Sequence, residues 1–375
     1  MTRLAVLADP HCDDFGSKLD PATGLNARWT DTVGMVRWVA TDARERGAEA
    51  LVVAGDLSET RHPAPWRVAQ IGEALEAFGG PVILARGNHD GLRADRSIVD
   101  VLAAGRPGWS GFSIPGVTTV GGTAIAVLPY LDRHHLRALL GYESVPDAEV
   151  SAALGTAYLT IARGLYVAAE AVASAGTVLV VHQALAGGLM SDSQAAFLGD
   201  QGLVVDTRAL AAIGFDAVLA GHFHNHQVIQ TDPLVAYAGS PYRTDFGEEH
   251  QAKGYLIVDV DETGARVEFI ETPARRFVTL TGDEAEGSGV RDAIVRVLDF
   301  PPEGDAAAFR RYLDEAGAFE VTEIRVRPMS RPEVAGGLSE TLTAPEALEA
   351  YFADDPDDEV LVQRGRAILA EVAAA

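Results

Sequence analysis

Residues 50–56 have the sequence ALVVAGD, an apolar run that ends in glycine and aspartate. A short apolar run without polar alternation is typical of a strand that is buried on both faces. Four more runs of this kind occur in the chain, at residues 3–8, 81–85, 177–181 and 216–220. The sequence therefore predicts a sheet whose strands are covered on both sides.

The segments between these runs have the periodicity of helices. Trp29–Arg46 and Ala64–Phe78 carry apolar residues at helical spacing, and Ser151–Ala175 is an alanine-rich segment of high helix propensity. Strand, loop, helix and strand in repetition predict a layered α/β domain, in which ligands bind beyond the carboxyl ends of the strands.

From residue 226 the pattern changes to alternating apolar and polar residues, which is typical of strands with one exposed face. HQVIQT, LVAYAG, GYLIVDV and ARVEFIE predict a four-stranded meander that completes a second sheet. A Gly-, Glu- and Asp-rich linker near 281–290 then precedes a strand, helix, strand unit and two helices, Pro345–Phe352 and Glu359–Val372. We predict a main domain at 1–277, a small α+β domain at 278–335 and a helical tail at 336–375, which docks on a partner or packs on its own chain.

The composition indicates a globular protein with an acidic surface. The chain has 375 residues, 47% of them hydrophobic, and a formal net charge of -24. This charge argues against a nucleic-acid binder of high affinity on its own, because phosphate binding depends on Lys and Arg displacing counterions. Bound metal ions or a basic partner subunit would supply the positive charge that a phosphodiester substrate requires.

The sequence also predicts where the protein acts. A single cysteine, Cys12, excludes an internal disulfide. The first apolar run is of strand length and ends in Asp9, which is not the pattern of a secretory signal. The longest apolar stretch, residues 165–185, is interrupted by Glu170 and His182, which argues against a membrane span. We expect a cytoplasmic enzyme.

Metal-ligating side chains follow every one of the buried runs. They are Asp9, His11, Asp56, Asn88, His182, His222 and His224. Any one of these histidines alone would more often be a structural residue than a ligand. Their common position after strands and their order along the chain favour a two-metal hydrolytic centre instead.

We divide these ligands into two sites that share Asp56. The first site has Asp9, His11, Asp56 and His224, and the second has Asp56, Asn88, His182 and His222. Oxygen and imidazole ligands without a thiolate suit manganese, magnesium or iron, with zinc as a further candidate. Two cations about 3.5–4 Å apart would activate a bridging water for attack on phosphorus and stabilise the charge of the transition state.

Residues beside the ligands have predicted roles in the reaction. We assign His89 to contact the phosphoryl group and protonate the leaving oxygen, and Asp90 to orient His89. His62, in ETRHPAP, either lines the substrate groove or is an exposed loop residue. Neither the hydrolysis nor the metal set requires Cys12, which favours a buried, apolar role for it.

The ordered motifs D-P-H, G-D, G-N-H-D, V-H and G-H-F-H resemble those of the calcineurin-like metallophosphoesterase superfamily and cover the first 225 residues. Within it, AYAGSPYRTDFGEEHQAKGYLIVDV at 236–260 is similar to a distinctive segment of SbcD, the nuclease subunit of the bacterial SbcCD complex. PARRFVTL, the strand, helix, strand unit and the helical tail also resemble the continuation of that family.

The resemblance implies a β-sandwich flanked by helices and a small domain that caps the active site. It implies a manganese-dependent DNA nuclease of break repair, with 3′–5′ exonuclease activity on duplex ends and endonuclease activity on single strands or hairpins. It also implies a homodimer assembled with an SbcC-like ABC-type ATPase. The family's ligands map onto the seven residues above and its phosphate-contacting histidine onto His89, while Ser240 and Arg243 become expected substrate contacts.

The chain departs from the family pattern at two loops. Cys12, Asp13 and Asp14 stand where a glycine is usual, and Glu59 stands where some relatives have a histidine that contacts the groove. Two alternative functions stay open. One is a phosphomonoesterase or cyclic-nucleotide phosphodiesterase with the same centre, and the other is a non-catalytic scaffold subunit, whose expected mark is the loss of a ligand.

Overall fold

The structure is a computed structural model that describes residues 1–91, 97–142, 147–190, 194, 203–282, 289–327, 343–351 and 359–373. Most of the predicted linker near 281–290 lies outside the described residues. The same is true of the predicted boundary between residues 335 and 336.

Two six-stranded sheets form the centre of the protein. The strands of the first sheet, from edge to edge, are Gly264–Glu271 (β14), Gly254–Asp261 (β13), Thr2–Leu7 (β1), Ala50–Ala54 (β2), Val82–Ala85 (β3) and Trp109–Phe112 (β4). β1 to β4 run parallel, and β13 pairs antiparallel with both β1 and β14.

The second sheet also contains four adjacent parallel strands. Its strands, from edge to edge, are Gln227–Thr231 (β11), Leu234–Tyr237 (β12), Ala217–Gly221 (β10), Gly176–His182 (β7), Thr123–Leu128 (β6) and Gly116–Val120 (β5). The four inner strands run parallel, and the two edge strands are antiparallel. The carboxyl ends of the parallel strands therefore lie together at one end of each sheet.

The sheets pack face to face through a layer of buried aliphatic side chains. Leu4 and Val52 come from the first sheet and Val178 and Leu219 from the second, and all four are 0% exposed. The opposite faces of the sheets are covered by helices, so each central strand is buried on both sides. This explains why the strands are continuous apolar runs, and it confirms the predicted β-sandwich flanked by helices.

Helices cover the outer faces of both sheets. Ala27–Glu45 (α1), Pro65–Glu76 (α2) and Ile98–Ala103 (α3) cover the first sheet, and Asp147–Glu170 (α5) and Thr207–Ala211 (α6) cover the second. Arg133–Leu139 (α4) packs on α5. The start of α1 is fixed by Asn26, whose side-chain oxygen accepts hydrogen bonds from the backbone N–H groups of residues 28 and 29.

Part of the predicted topology is wrong. The four strands after residue 226 do not form one meander, because β11 and β12 extend the second sheet whereas β13 and β14 extend the first. Without these four strands, β1 would be an edge strand of the first sheet and β10 an edge strand of the second. Alternating hydrophobicity does not specify which of these edges a strand joins. The sequence analysis also did not anticipate β4, β5 and β6.

A smaller sheet follows the main body. It consists of Phe277–Thr281 (β15), Ile294–Phe300 (β16) and Glu320–Val326 (β17), all parallel, with Ala306–Glu315 (α7) packed on it. Val295, Val297 and Leu313 are 0% exposed in a core of its own. The predicted strand, helix, strand order is present in β16, α7 and β17. The additional strand, β15, was not predicted, and it begins one residue before the predicted domain boundary at 278.

Three minor features complete the described part of the chain. Ala184–Leu185 (β8) and Val204–Val205 (β9) form a two-stranded sheet, and residues 246–248 form a 3-10 helix. Ala344–Tyr351 (α8) and Glu359–Ala373 (α9) form the tail and contact each other.

One helical stretch in the described residues, Val150–Glu170, has the length and apolar composition of a membrane span. Leu154, Tyr158 and Ala162 on this helix are 0% exposed and pack in the core of the second sheet. This packing is that of a helix that covers a sheet, so the stretch is weak evidence for a membrane span.

We expect the layer between the sheets to dominate the stability of the main body. Leu219→Ala removes three buried carbons and should lower the free energy of unfolding by about 2–5 kcal/mol. The matched control is Leu189→Ala at a side chain that is 67% exposed, which should change it by less than about 0.5 kcal/mol. Urea denaturation followed by circular dichroism measures both. Equal effects of the two substitutions would contradict the assignment of Leu219 to the core.

Candidate metal centre

The predicted ligands lie where the carboxyl ends of the two sheets meet. The backbones of β2 and β10 approach so closely there that a Cβ at Gly221 would overlap the carbonyl oxygen of Ala54. Side chains at Gly55 and Gly87 would collide with His182 and Asp56, respectively. Glycine is therefore required at these three positions if the ligands are to come together.

Four of the ligands have strained backbones. Asp9, His11, Asp56 and His222 have positive φ angles of 50°, 38°, 51° and 106°. A non-glycine residue in this region costs on the order of 1–3 kcal/mol, and such residues concentrate at functional sites. Hydrogen bonds hold the strained loops: the His11 N–H donates to Asp56 O (2.9 Å), and the His222 N–H donates to the Asp9 carboxylate (3.0 Å).

One group of ligands gathers around His11. Donor atoms of Asp9, His11 and His224 all lie within 4.8 Å of one another. The Nε2 atoms of His11 and His224 face each other at 3.1 Å. Two imidazole lone pairs that converge in this way beside a carboxylate offer a cation three ligands.

A second group gathers around His182. Its Nε2 lies 3.2 Å from Asp56 Oδ2 and 3.0 Å from Asn88 Oδ1, and His222 Nδ1 lies 3.1 Å from the same oxygen of Asn88. Asp56 Oδ2 also lies 3.6 Å from His11 Nε2, so its carboxylate stands between the two groups. The structure thus brings all seven predicted ligands together, in the predicted division.

The imidazole rings are oriented for metal binding by hydrogen bonds on their far side. His182 Nδ1 lies 2.8 Å from Ala54 O, which can only accept, so Nδ1 keeps its proton and Nε2 is the nitrogen that becomes available to a cation. His224 Nδ1 donates in the same way to Glu248 Oε1 (2.6 Å). Metal-ligating histidines almost always donate their second ring N–H to a carboxylate or a carbonyl. The donor set therefore fits two divalent cations.

Comparison with known proteins agrees with this geometry. The family described as calcineurin-like phosphoesterase matches residues 2–226. The chain belongs to this family.

Two solved structures of low sequence identity match part of this chain. A dimetal phosphatase from Danio rerio is 10% identical, and the match covers 72% of this chain and 98% of that chain with a TM-score of 0.45. A purple acid phosphatase from yellow lupin (Lupinus luteus) is 12% identical, and the match covers 72% of this chain and 51% of that chain with a TM-score of 0.41.

His224 is supported by Glu248 and Lys253, which were not predicted from the sequence. Glu248, which is 0% exposed, accepts hydrogen bonds from His224 Nδ1, Lys253 Nζ (3.0 Å) and the Thr244 N–H (3.0 Å). Burial raises the pKa of Glu248, but the hydrogen bond and charge of His224 and the charge of Lys253 outweigh it and lower that pKa to about 2. Glu248 is thus a permanent carboxylate behind a ligand, and no spacing rule in the sequence identifies it.

The charges of the site set the protonation of its histidines. Burial lowers the pKa of His11, but the carboxylates of Glu59 and Asp56 outweigh it and raise that pKa to about 9. Burial also lowers the pKa of His182, and Asp56 again outweighs it, to about 9. Burial and the nearby charge of His182 lower the pKa of His222 to about 3. Before cations bind, His11 and His182 therefore hold protons at neutral pH.

The predicted role of Asp90 is wrong. Its carboxylate accepts hydrogen bonds from the backbone N–H groups of Leu57 (2.9 Å), Ser58 (3.1 Å) and Gly87 (2.8 Å), and no hydrogen bond joins it to His89 among the described residues. These hydrogen bonds join the loop that carries Asp56 to the loop that carries Asn88. Burial is the largest cause that raises the pKa of Asp90, to about 6.

His89 is oriented by Glu59 instead. His89 Nδ1 lies 3.1 Å from the backbone oxygen of Glu59 and 3.4 Å from its carboxylate Oε2. Because a carbonyl oxygen only accepts, Nδ1 carries the proton and Nε2 is left free. The His89 side chain is 35% exposed and its ring lies 5.0 Å from that of His11. This placement agrees with a residue that contacts substrate beside the metals.

A cavity of about 390 Å³ opens over the ligands. Its lining consists of ligands, His89 and residues of four other segments: His11, Phe15, Asp56, Glu59, Asn88, His89, Gln194, His222, His224, Thr244 and Asp245. The side chain of Gln194 braces the ligand loop, because it donates to His222 O (3.0 Å) and accepts from the His224 N–H (3.1 Å).

Two predicted substrate contacts, Ser240 and Arg243, do not face this cavity. Ser240 is 0% exposed, and its hydroxyl accepts a hydrogen bond from Lys253 Nζ at 2.8 Å. Arg243 donates its Nε and Nη2 to backbone oxygens at residues 249 and 251, at 3.1 and 2.6 Å. These positions contradict the predicted contacts, because the groups that would bind substrate are satisfied inside the chain.

The remaining candidates lie at the edges of the site. His62 is exposed and does not line the described cavity, which agrees with an exposed loop residue rather than a groove contact. Cys12 is 0% exposed, and burial raises its pKa to about 12. Its thiol is therefore protonated and inert at neutral pH, in agreement with the predicted apolar role.

Metal affinity should depend on pH because cations compete with the protons of His11 and His182. Both pKa values are about 9, so the affinity for Mn²⁺ should rise from pH 7 to pH 9, by about tenfold per pH unit for each proton displaced. Titration calorimetry in buffers of different ionisation enthalpy measures the affinity and the protons released. An affinity independent of pH over this range would contradict the assignment of these histidines.

Removing the charge of Glu248 should weaken metal binding through His224. Glu248→Gln leaves Lys253 without its buried counter-charge and weakens the hydrogen bond to His224 Nδ1, so the affinity for Mn²⁺ should fall by about 10–100-fold. The control is Glu262→Gln in an exposed turn, which should not change the affinity. Circular dichroism verifies that both variants fold. An unchanged affinity in folded Glu248→Gln would show that Glu248 does not support a ligand.

Proposed function

We propose that the protein hydrolyses phosphodiester bonds of DNA, as the nuclease subunit of an SbcCD-like complex in break repair. The expected activities are those of a 3′–5′ exonuclease on duplex ends and an endonuclease on single strands or hairpins. The family, the converging ligands and the SbcD-like segment at 236–260 support this proposal.

The charge of the cavity favours a phosphodiester over a phosphomonoester as the substrate. Asp56, Glu59 and Asp245 contribute carboxylates to the lining, and no Lys or Arg lines it among the described residues. A phosphomonoester carries up to two negative charges, whereas a diester carries one. Binding of the dianion is favoured by additional cationic side chains, such as the Arg and Lys clamps of phosphoryl-transfer enzymes. A cavity with carboxylates at its rim is therefore better suited to the diester.

The protein side chains have separable tasks in the reaction. The seven ligands would hold two divalent cations, manganese as first choice, which when bound supply positive charge and an acidified water. The Ala54 carbonyl and Glu248 keep the Nε2 lone pairs of His182 and His224 directed into the site. His89, held at Nδ1 by Glu59, would protonate the leaving oxygen from Nε2 in its imidazolium form, in which both ring nitrogens carry a proton.

The proposed partners follow from the charge of the whole chain. With a net charge of -24, the isolated subunit lacks the cationic surface that gives DNA-binding proteins their affinity. We propose that an SbcC-like ATPase supplies it, in an assembly built on a homodimer, and that the unit of β15, β16, β17 and α7 caps the active site.

Substrate assays test the proposal. Manganese-loaded protein should cleave linear DNA and bis-p-nitrophenyl phosphate with a higher kcat/KM than p-nitrophenyl phosphate. His89→Ala should lower kcat by about 10²–10⁴-fold without loss of bound metal, because it removes an acid and not a ligand. The control is His250→Ala, at an exposed histidine that does not line the cavity, which should keep full activity.

Two results would contradict the proposal. Preference for the monoester, with no cleavage of DNA with or without the ATPase, would favour a phosphomonoesterase. A metal-loaded protein that hydrolyses none of these substrates would favour a scaffold subunit. Retention of nuclease activity in His89→Ala would remove only the role of that residue.

A further inference from the structure

Glu59 occupies a position between two histidines of different function. Its carboxylate Oε2 lies 2.6 Å from Nδ1 of the ligand His11 and 3.4 Å from Nδ1 of His89, which contacts the phosphoryl group in the proposed reaction. The first contact is of ion-pair distance, although the ring N–H of His11 is not aligned with the carboxylate. The side chain is 40% exposed and lines the cavity.

We propose that Glu59 determines substrate class, by placing a negative charge where the additional charge of a phosphomonoester would lie. This inference rests on the proposed phosphodiesterase function and names the residue that would exclude the dianion from the site. Glu59 is also a positioning residue, because its backbone oxygen and its carboxylate fix His89.

The other acidic groups near the cavity are engaged elsewhere. Asp245 accepts a hydrogen bond from the Gly247 N–H (2.6 Å) at the start of the 3-10 helix, and Asp56 stands between the two ligand groups. Asp13 and Asp14, at the edge of the site, both pair with Arg67. Their charges are therefore compensated by a cation or a backbone dipole.

Glu59 pairs with no Lys or Arg side chain in the described structure. Its close ionic neighbours among the described residues are the imidazoles of His11 and His89. Once a cation is bound at His11 Nε2, the carboxylate remains at the mouth of the cavity with part of its surface in solvent. Its field there opposes a substrate group with two negative charges about twice as strongly as a group with one.

A purely structural role predicts a different outcome. If Glu59 only held the rings of His11 and His89, its loss would slow both substrate classes by the same factor. If its charge selects, removal of the charge should change the ratio of kcat/KM for monoester and diester. This ratio separates the two roles, because misplacement of His89 or of a ligand affects both reactions.

The test compares Glu59→Gln, which keeps the size of the side chain but removes its charge, with Glu59→Asp, which keeps the charge. The probes are p-nitrophenyl phosphate and bis-p-nitrophenyl phosphate at saturating Mn²⁺, with the bound metal measured for each variant. In Glu59→Gln the monoester-to-diester ratio of kcat/KM should rise by about 10–100-fold, mainly through a lower KM for the monoester. In Glu59→Asp the ratio should stay near that of the parent protein.

Three results decide between the possibilities. An unchanged ratio in Glu59→Gln, with both activities reduced, would overturn the selection role. Loss of bound metal in Glu59→Gln but not in Glu59→Asp would assign the charge to metal binding alone and also overturn it. A parent protein that prefers the monoester would contradict the proposed function, yet a rise of the ratio in Glu59→Gln would still support selection by Glu59.

Discussion

The close approach of the two sheets at Ala54 and Gly221 is the constraint on which the rest of the site depends. No Cβ fits at residue 221, because it would overlap the Ala54 carbonyl oxygen, and the same oxygen accepts a hydrogen bond from His182 Nδ1. One backbone group of the first sheet thus orients a ligand that the second sheet supplies. Because a layer of buried, close-packed aliphatic side chains holds the sheets together, the distance between the ligand loops at their rim is fixed.

Buried polar groups turn this separation into a defined site. Asp90 accepts three backbone N–H groups and joins the loops that carry Asp56 and Asn88, while Glu248 with Lys253 supports His224. Each of these carboxylates would be costly in the interior if it were unpaired. Fully paired, they compensate for the strain of the ligands with positive φ and direct their donor atoms inward. Stability and metal binding therefore depend on the same hydrogen bonds.

The sequence predicted what depends on local pattern and did not predict what depends on the path of the chain. Continuous apolar runs identified five of the parallel strands, β1, β2, β3, β7 and β10. The polar side chains after them identified the ligands, because the carboxyl ends of parallel strands meet at one rim. The separation of β13 and β14 from β11 and β12 depends on which sheet edge is open, which alternation does not encode. The roles of Asp90, Glu59 and Glu248 depend on side-chain direction within loops, so adjacency in sequence assigned Asp90 to the wrong partner.

In the proposed centre, the Asp56 carboxylate binds both of the cations that ligands from the two sheets hold. Anomalous diffraction from crystals grown with Mn²⁺ would locate these cations. We expect two manganese peaks about 3.5–4 Å apart, with the Asp56 carboxylate bound to both. A single peak, or two peaks of which either lies beyond the reach of Asp56, would contradict this arrangement.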